Sequence, residues 1–196
     1  FRRVLFRSVE HDLEAAHRMF GLRSVVFRPH NVYGEFQNIG DPYRNVVGIF
    51  MNQIMTGKPM SIFGDGSQRR AFSYVGDIAP AIAASALTPR AHGRTFNIGA
   101  DRDYTVLELA TAIARAMDVP THPVAHLAPR NEVKEAWADH SAVAEVLGPF
   151  PQTSLEQGLA RMADWVRRVG PRAGQPFEGI EITRGLPPSW AALTHA

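Results

Sequence analysis

The feature that most constrains this chain is a short apolar strand running directly into a proline. Ser24-Val25-Val26-Phe27 is followed by Arg28-Pro29-His30-Asn31-Val32-Tyr33-Gly34. Proline disfavours helical geometry in the residue before it, so an X-Pro step ends the strand firmly. The turn therefore stands at the carboxyl end of a strand, where open α/β sheets keep their ligand crevice. Taken alone, Pro-Asn-Gly here would be turn punctuation. The segments downstream give it a different weight.

Strands and helices alternate along the rest of the chain. Val9, Leu13, Ala16, Met19 and Phe20 make a helical stripe that ends at Gly21. A polar loop from Gly34 to Tyr43 leads into a helical pattern over Asn45 to Thr56, stopped by Gly57. Met60 to Phe63 and Ala71 to Val75 read as strands, and Asp77 as the cap of a helix over Ile78 to Leu87 with Pro80 in its first turn. Thr95 to Ile98 and Val124 to Leu127 read as further strands. Thr105 with Glu108, and Ser154 with Gln157, have capping-box spacing before helices over Leu109 to Met117 and up to Val169; Ser141 to Leu147 is a shorter helix. Such alternation predicts an α/β fold. Residues 171–196, with Pro171, Pro176, Pro187 and Pro188, read as an irregular tail.

A second signature, Ile62-Phe63-Gly64-Asp65-Gly66-Ser67-Gln68-Arg69-Arg70-Ala71-Phe72-Ser73-Tyr74-Val75-Gly76-Asp77, follows the first by some thirty residues. In this order the two resemble the C-terminal half of NAD-dependent nucleotide-sugar epimerases and dehydratases, the extended short-chain dehydrogenases. The resemblance covers roughly Val9 to Val169. It implies the C-terminal portion of a Rossmann-type protein with its small substrate-binding domain. Residues 9–34 would end the Rossmann-type part, and 35–170 would form mainly the nucleotide-sugar domain. Rossmann elements would return near 71–99.

The same resemblance assigns candidate residues. Pro29 and His30 would border the nicotinamide of NAD, and Asn31 would hydrogen-bond the sugar or diphosphate. Asn45 and Val46 open a segment resembling the family's Asn-x-x-Pro helix start, with Gly48 in place of the proline; the alternative is a plain N-cap. Ile62 and Phe63 would pack against the nucleotide base. Arg70, two residues before Phe72, and Arg130 would clamp the diphosphate, since a guanidinium presents a planar fork of donors. Arg69 reads as a solvated surface charge. The implied ligand is a nucleotide-diphosphate sugar. The implied parent is a cytoplasmic homodimer acting as a UDP-sugar 4-epimerase by transient oxidation at C4. A 4,6-dehydratase or decarboxylase is the alternative, and a non-catalytic nucleotide-sugar-binding domain is a reading of another class.

Several expected parts are missing from the sequence. Counting back from Glu10, the family's Tyr-x-x-x-Lys would fall at Arg2 and Phe6, so no catalytic residue is assigned, and no Gly-x-x-Gly-x-x-Gly turn follows any strand. Leu5-Phe6-Arg7-Ser8 is what CTC-TTC-CGA-TCT encodes, which resembles the end of a sequencing adapter. Residues 1–8 are therefore expected to be a non-native leader, the alternative being a divergent native N-terminus. The formal charge of +2 comes from that leader: without Arg2, Arg3 and Arg7 the balance is 18 basic against 19 acidic side chains. Nucleic-acid binding loses its main support. There is no cysteine, no histidine spacing suited to a metal, and no apolar run near the ~18 residues of a membrane span.

Overall fold

A computed structural model describes residues 2–41 and 45–174. The expected tail beyond residue 174 lies outside the described residues. The first helix, α1 (Arg2–Phe20), runs without a break through the leader and into the stripe that begins at Val9. It is fastened to β1 (Val26–Pro29) by a fork of two bonds, Arg28 Nε to Glu10 Oε1 at 2.9 Å and Arg28 Nη2 to Glu10 Oε2 at 2.6 Å. Among the described residues no helix is long and apolar enough to cross a membrane.

β1 pairs in parallel with β6 (Thr95–Ile98), Val26 opposite Thr95. Next along the chain, β2 (Val32–Tyr33) pairs in parallel with β5 (Ser73–Tyr74). α2 (Val46–Met55) then leads to β3 (Met60–Phe63), which pairs in parallel with β8 (Val124–Leu127). A mixed three-stranded sheet has β4 (Arg69–Ala71) at its centre, antiparallel to β7 (Asp103–Thr105) and parallel to β9 (Glu135–Ala136). Helices α3 (Val75–Ser85), α4 (Val106–Ala116), α5 (Ser141–Leu147) and α6 (Leu155–Val169) complete the order, with a short 3-10 turn at Pro89–Ala91. The expected α/β class is the one found.

Buried apolar side chains fall into two clusters. The larger gathers Phe50 and Met51 of α2, Ile62 of β3, Leu109 and Ile113 of α4, and Leu159, Met162 and Val166 of α6. The smaller joins Ile78 of α3, Phe96 and Ile98 of β6, and Val143 and Val146 of α5. α5 thus packs under the β1–β6 pair, against elements that precede it by far in sequence.

Two local expectations are corrected. α3 begins at Val75 with Tyr74 at its N-cap, not at Asp77. The Asp77 carboxylate instead accepts from the Thr153 N–H at 2.8 Å and the Thr153 hydroxyl at 2.7 Å, tying α3 to the start of α6. The earlier start moves Pro80 into the second turn, where it has no N–H to offer the Gly76 carbonyl. The strand expected over Ala71 to Val75 is two short strands, because Phe72 turns into the core between them.

Both capping boxes form as their spacing predicts, with the Thr105 hydroxyl accepting from Glu108 N at 3.0 Å and Glu108 Oε2 accepting from Thr105 N at 2.7 Å. Thr105→Ala is expected to cost about 1 kcal/mol, the usual value of such a cap. Urea unfolding measures this, and an unchanged midpoint would mean the helix is set by packing alone.

Candidate functional site

Seven residues singled out in the sequence meet around one cavity of about 500 Å³. Asn31, Asn45, Val46, Ile62, Phe63, Arg70 and Arg130 all line it. They come from the ends of β1, α2, β3 and β4 and from the segment after β8. Tyr33, Gln53, Ser61, Gln68 and Glu132 share its wall, and sequence reasoning did not assign them to it.

At the strand end, Asn31 has a left-handed backbone, φ 45°, and its amide nitrogen donates to the Ala71 carbonyl at 2.9 Å. That bond engages the amide nitrogen and fixes which end of the amide is which. Asn45 also has positive φ, 62°, and makes no side-chain capping bond to α2. Asn45 thus stands at the N-cap position, its carbonyl accepting from Ile49 N at 3.2 Å, while its side chain does not cap the helix. The first N–H groups of α2 stand beside Asn45 and Val46 on the cavity wall, and unsatisfied helix N–H groups favour an anion.

The β3 wall reads as a hydrogen-bonding edge. In a parallel pair alternate residues face the partner. Met60 and Gly64 donate to the carbonyls of Pro123 and Leu127, so the backbone groups of Ser61 and Phe63 turn to the opposite edge. Two glutamines hold the outer positions of that edge. Gln53 accepts from the Ser61 N–H at 3.1 Å and donates to the Ser61 hydroxyl at 3.0 Å, and Gln68 donates to the Phe63 carbonyl at 3.0 Å. Between these clamps lie the Ser61 carbonyl and the Phe63 N–H, one acceptor beside one donor. The pair complements an imide edge, with its adjacent N–H and C=O, as carried by uracil or thymine.

The cationic wall is less open than the sequence implies. The Arg130 guanidinium lies over the Phe63 ring, 3.4 Å from its centroid, a cation–π arrangement. Arg70 is largely buried and donates to three backbone carbonyls: Arg69 at 2.7 Å, Lys134 at 3.1 Å and Val133 at 2.5 Å. The Glu132 carboxylate stands 3.8 Å from it. Arg70 therefore fastens the 132–134 segment across the cavity as well as lining it. Arg69 is not simply solvated: its Nε donates to Asp103 Oδ2 at 2.6 Å, a bond that holds the Asp103 carboxyl below the usual carboxylate range.

Pro29 and His30 do not line this cavity. They end β1 beside Gly99, at the carboxyl end of β6. A methyl group at Gly99 would lie 2.6 Å from His30 Nε2, so ring and strand are in close contact. His30 stacks on His140, ring centroids 5.0 Å apart and 17° from parallel, and His140 Nδ1 lies 2.7 Å from Asp101 Oδ1. In sequence His30 has no acidic neighbour; the fold supplies one through His140. Residues spaced so widely leave no local signal. Among the described residues no group of three side chains suits a metal.

For NAD, the residues present offer a packed wall at Pro29 and His30 and no Gly-x-x-Gly-x-x-Gly turn after any described strand. They do not fit the cofactor's pyrophosphate.

The model of the NAD dependent epimerase/dehydratase family matches residues 7–99. UDP-glucose 4-epimerase of Mycolicibacterium smegmatis is 33% identical over 159 residues, 80% of this chain and 47% of that protein. UDP-glucuronic acid decarboxylase 1 of Arabidopsis thaliana is 31% identical over 154 residues, 78% of this chain and 34% of that protein. The crystal structure of UDP-glucuronic acid 4-epimerase from Bacillus cereus, in complex with UDP-glucuronic acid and NAD, superposes with a TM-score of 0.72 at 28% identity. It is matched over 82% of this chain and 50% of that one. The chain spans about half the length, or less, of the curated relatives it matches. With the α/β fold and these relatives, residues 7–99 of the chain belong to the NAD-dependent epimerase/dehydratase family.

Proposed function

We propose that the cavity between α2, β3 and β4 binds a nucleotide-diphosphate sugar. On this reading the chain is the sugar-nucleotide part of a UDP-sugar 4-epimerase acting with NAD by transient oxidation at C4. The observation that carries it is the convergence of a donor–acceptor strand edge, a helix N-terminus and two arginines on one space of about 500 Å³. The base would lie along the Ser61–Phe63 edge and against the Phe63 ring. The diphosphate would lie toward Arg70, Arg130 and the α2 N-terminus. NAD would supply hydride acceptance and return in the complete enzyme. Asn31 through its amide oxygen would orient the sugar or the diphosphate. The proton-transferring Tyr/Lys pair and the pyrophosphate turn would come from residues outside this sequence, and a homodimeric cytoplasmic parent belongs to the same reading.

The relatives also include a decarboxylase, so decarboxylation or 4,6-dehydration is the second reading. The residues around this cavity bind a nucleotide equally well for all three reactions.

Calorimetric titration of the chain with UDP, CDP and inorganic pyrophosphate tests the site. UDP is expected to bind best, because cytosine lacks the imide N–H. Phe63→Ala should weaken UDP by about 1–3 kcal/mol, the range for a base stacked on an aromatic ring. Equal affinity for UDP and pyrophosphate, unaffected by Phe63→Ala, would leave only an anion site and sink the nucleotide reading.

A further inference from the structure

Outside the cavity, the most unusual grouping is the histidine pair at the ends of β1 and β6. Two imidazoles lie stacked, both Nε2 atoms are buried without a hydrogen-bond partner, and one carboxylate serves the pair. Burial of an unpartnered ring nitrogen is costly, and more so once the ring is charged. The one carboxylate in reach, Asp101, has its Oδ1 2.7 Å from His140 Nδ1 and makes no hydrogen bond to His30. For His30, burial first, and then the adjacent His140, lower the pKa below the ordinary histidine value, against a smaller opposing pull from the Ala100 backbone and Asp101.

We propose that His30 and His140 form a proton-operated lock that fastens α5 across the carboxyl ends of β1 and β6. It is closed while the buried His30 ring is neutral and opened when that ring takes a proton.

The groups facing the pair are largely engaged elsewhere, so a charged His30 ring finds no partner at its Nε2. From α5, His140 presses on His30, and the neighbouring Asp139 is engaged by the Ser141 N–H at 2.9 Å and the Ser141 hydroxyl at 2.8 Å. From the end of β6 come Asp101 and the Ala100 backbone. From β5, Ser73 donates its hydroxyl to the His30 carbonyl at 3.1 Å and accepts from Ala100 N at 2.9 Å, so it is spent. From α3, Asp77 is occupied by Thr153. Among the described residues no carboxylate is left to pair directly with a charged His30 ring. The mechanical link is short, since His30 is followed directly by Asn31, whose positive φ and bond to Ala71 set one wall of the cavity. The lock itself does not depend on what that cavity binds.

The sign follows from linkage. A histidine whose folded pKa is depressed contributes stability that is present above the unfolded value near 6.5. That stability is lost as pH falls from there toward the folded value. Each unit of depression makes the open form about tenfold more favourable at acid pH.

Amide hydrogen exchange of the chain, corrected for the intrinsic effect of pH, reads this directly. Between pH 7.5 and 5, protection at Val143 and Val146 in α5 should fall by tenfold or more relative to Leu109 and Ile113 in α4. His30→Phe keeps an aromatic stack with no proton to gain and should remove the difference. A fall in α5 no larger than in α4, or an equal fall in the His30→Phe chain, overturns the proposal. Asp101 is mostly exposed, so Asp101→Asn serves if His30→Phe fails to fold. Loss of the carboxylate should move the midpoint of α5 opening to higher pH, and an unchanged midpoint also overturns the lock. A UDP titration at both pH values separates the two ideas. Acid opening without UDP binding leaves the lock standing and removes the nucleotide reading alone.

Discussion

Gly158→Ala is expected to destabilise the chain by about 2–3 kcal/mol, the cost of overpacking a tight core. Helix propensity alone argues the other way, since alanine is favoured over glycine inside a helix by about 1 kcal/mol. The neighbour decides. A Cβ on Gly158 would sit 2.2 Å from the Tyr33 hydroxyl and 2.9 Å from Cζ of its ring, and Tyr33 is buried in the larger core cluster. Burial holds the Tyr33 phenol above its ordinary pKa, so it stays neutral and cannot move into water at modest cost. Its hydroxyl donates to the Leu155 carbonyl across a long 3.4 Å. Tyr33→Phe should therefore be mild alone and should restore part of the loss when combined with Gly158→Ala. Urea unfolding of the two single variants and the double variant gives the coupling directly. A stabilised Gly158→Ala chain would show that α6 does not approach β2 as closely as described.

Arg70→Ala should weaken UDP binding by about 1.5–3 kcal/mol, the range for hydrogen bonds to a charged group. The result has two possible origins, because Arg70 holds the 132–134 segment by its carbonyls and also faces the cavity. Uridine separates them. If Arg70 grips the diphosphate, UDP affinity falls and uridine affinity does not. If it acts only by holding the segment in place, both fall together. In a complete enzyme the diphosphate is held alike in ground and transition states, so the loss should appear in KM with kcat kept. A collapse of kcat at constant KM would remove Arg70 from the anchor role.

What the sequence revealed and what it hid divide along one physical line. Short-range signals were legible: both capping boxes and the Ile62-Phe63-Gly64 strand end appear where their local chemistry puts them, whereas the first strand, expected over Ser24 to Phe27, runs from Val26 through Pro29. The seven cavity residues were legible only through family resemblance, since nothing in their spacing brings β1, β3 and residue 130 together. Asp77 was misread because its carboxylate finds Thr153, 76 residues on, in place of the nearest helix N–H. The glutamine clamps on β3 were missed for a related reason. Gln53 looks like an ordinary helix position until the unpaired side of β3 is seen beside it. His30, His140 and Asp101 sit on three separate segments, and no pattern along the chain joins them.

The placement of α5 under the β1–β6 pair bears on how the chain is made. Val26 meets Thr95, and Val143 then closes the same small cluster. Synthesis at roughly 5–20 residues per second puts on the order of ten seconds between the emergence of the first of these and the last. During that interval β1 waits with its apolar neighbours Val25 and Phe27 lacking their final cover. Pairings between distant residues also form slowly once all parts are present. β1 thus waits for cover that lies far downstream, so the β1–β6 edge is where a nascent chain would meet a chaperone or another copy of itself.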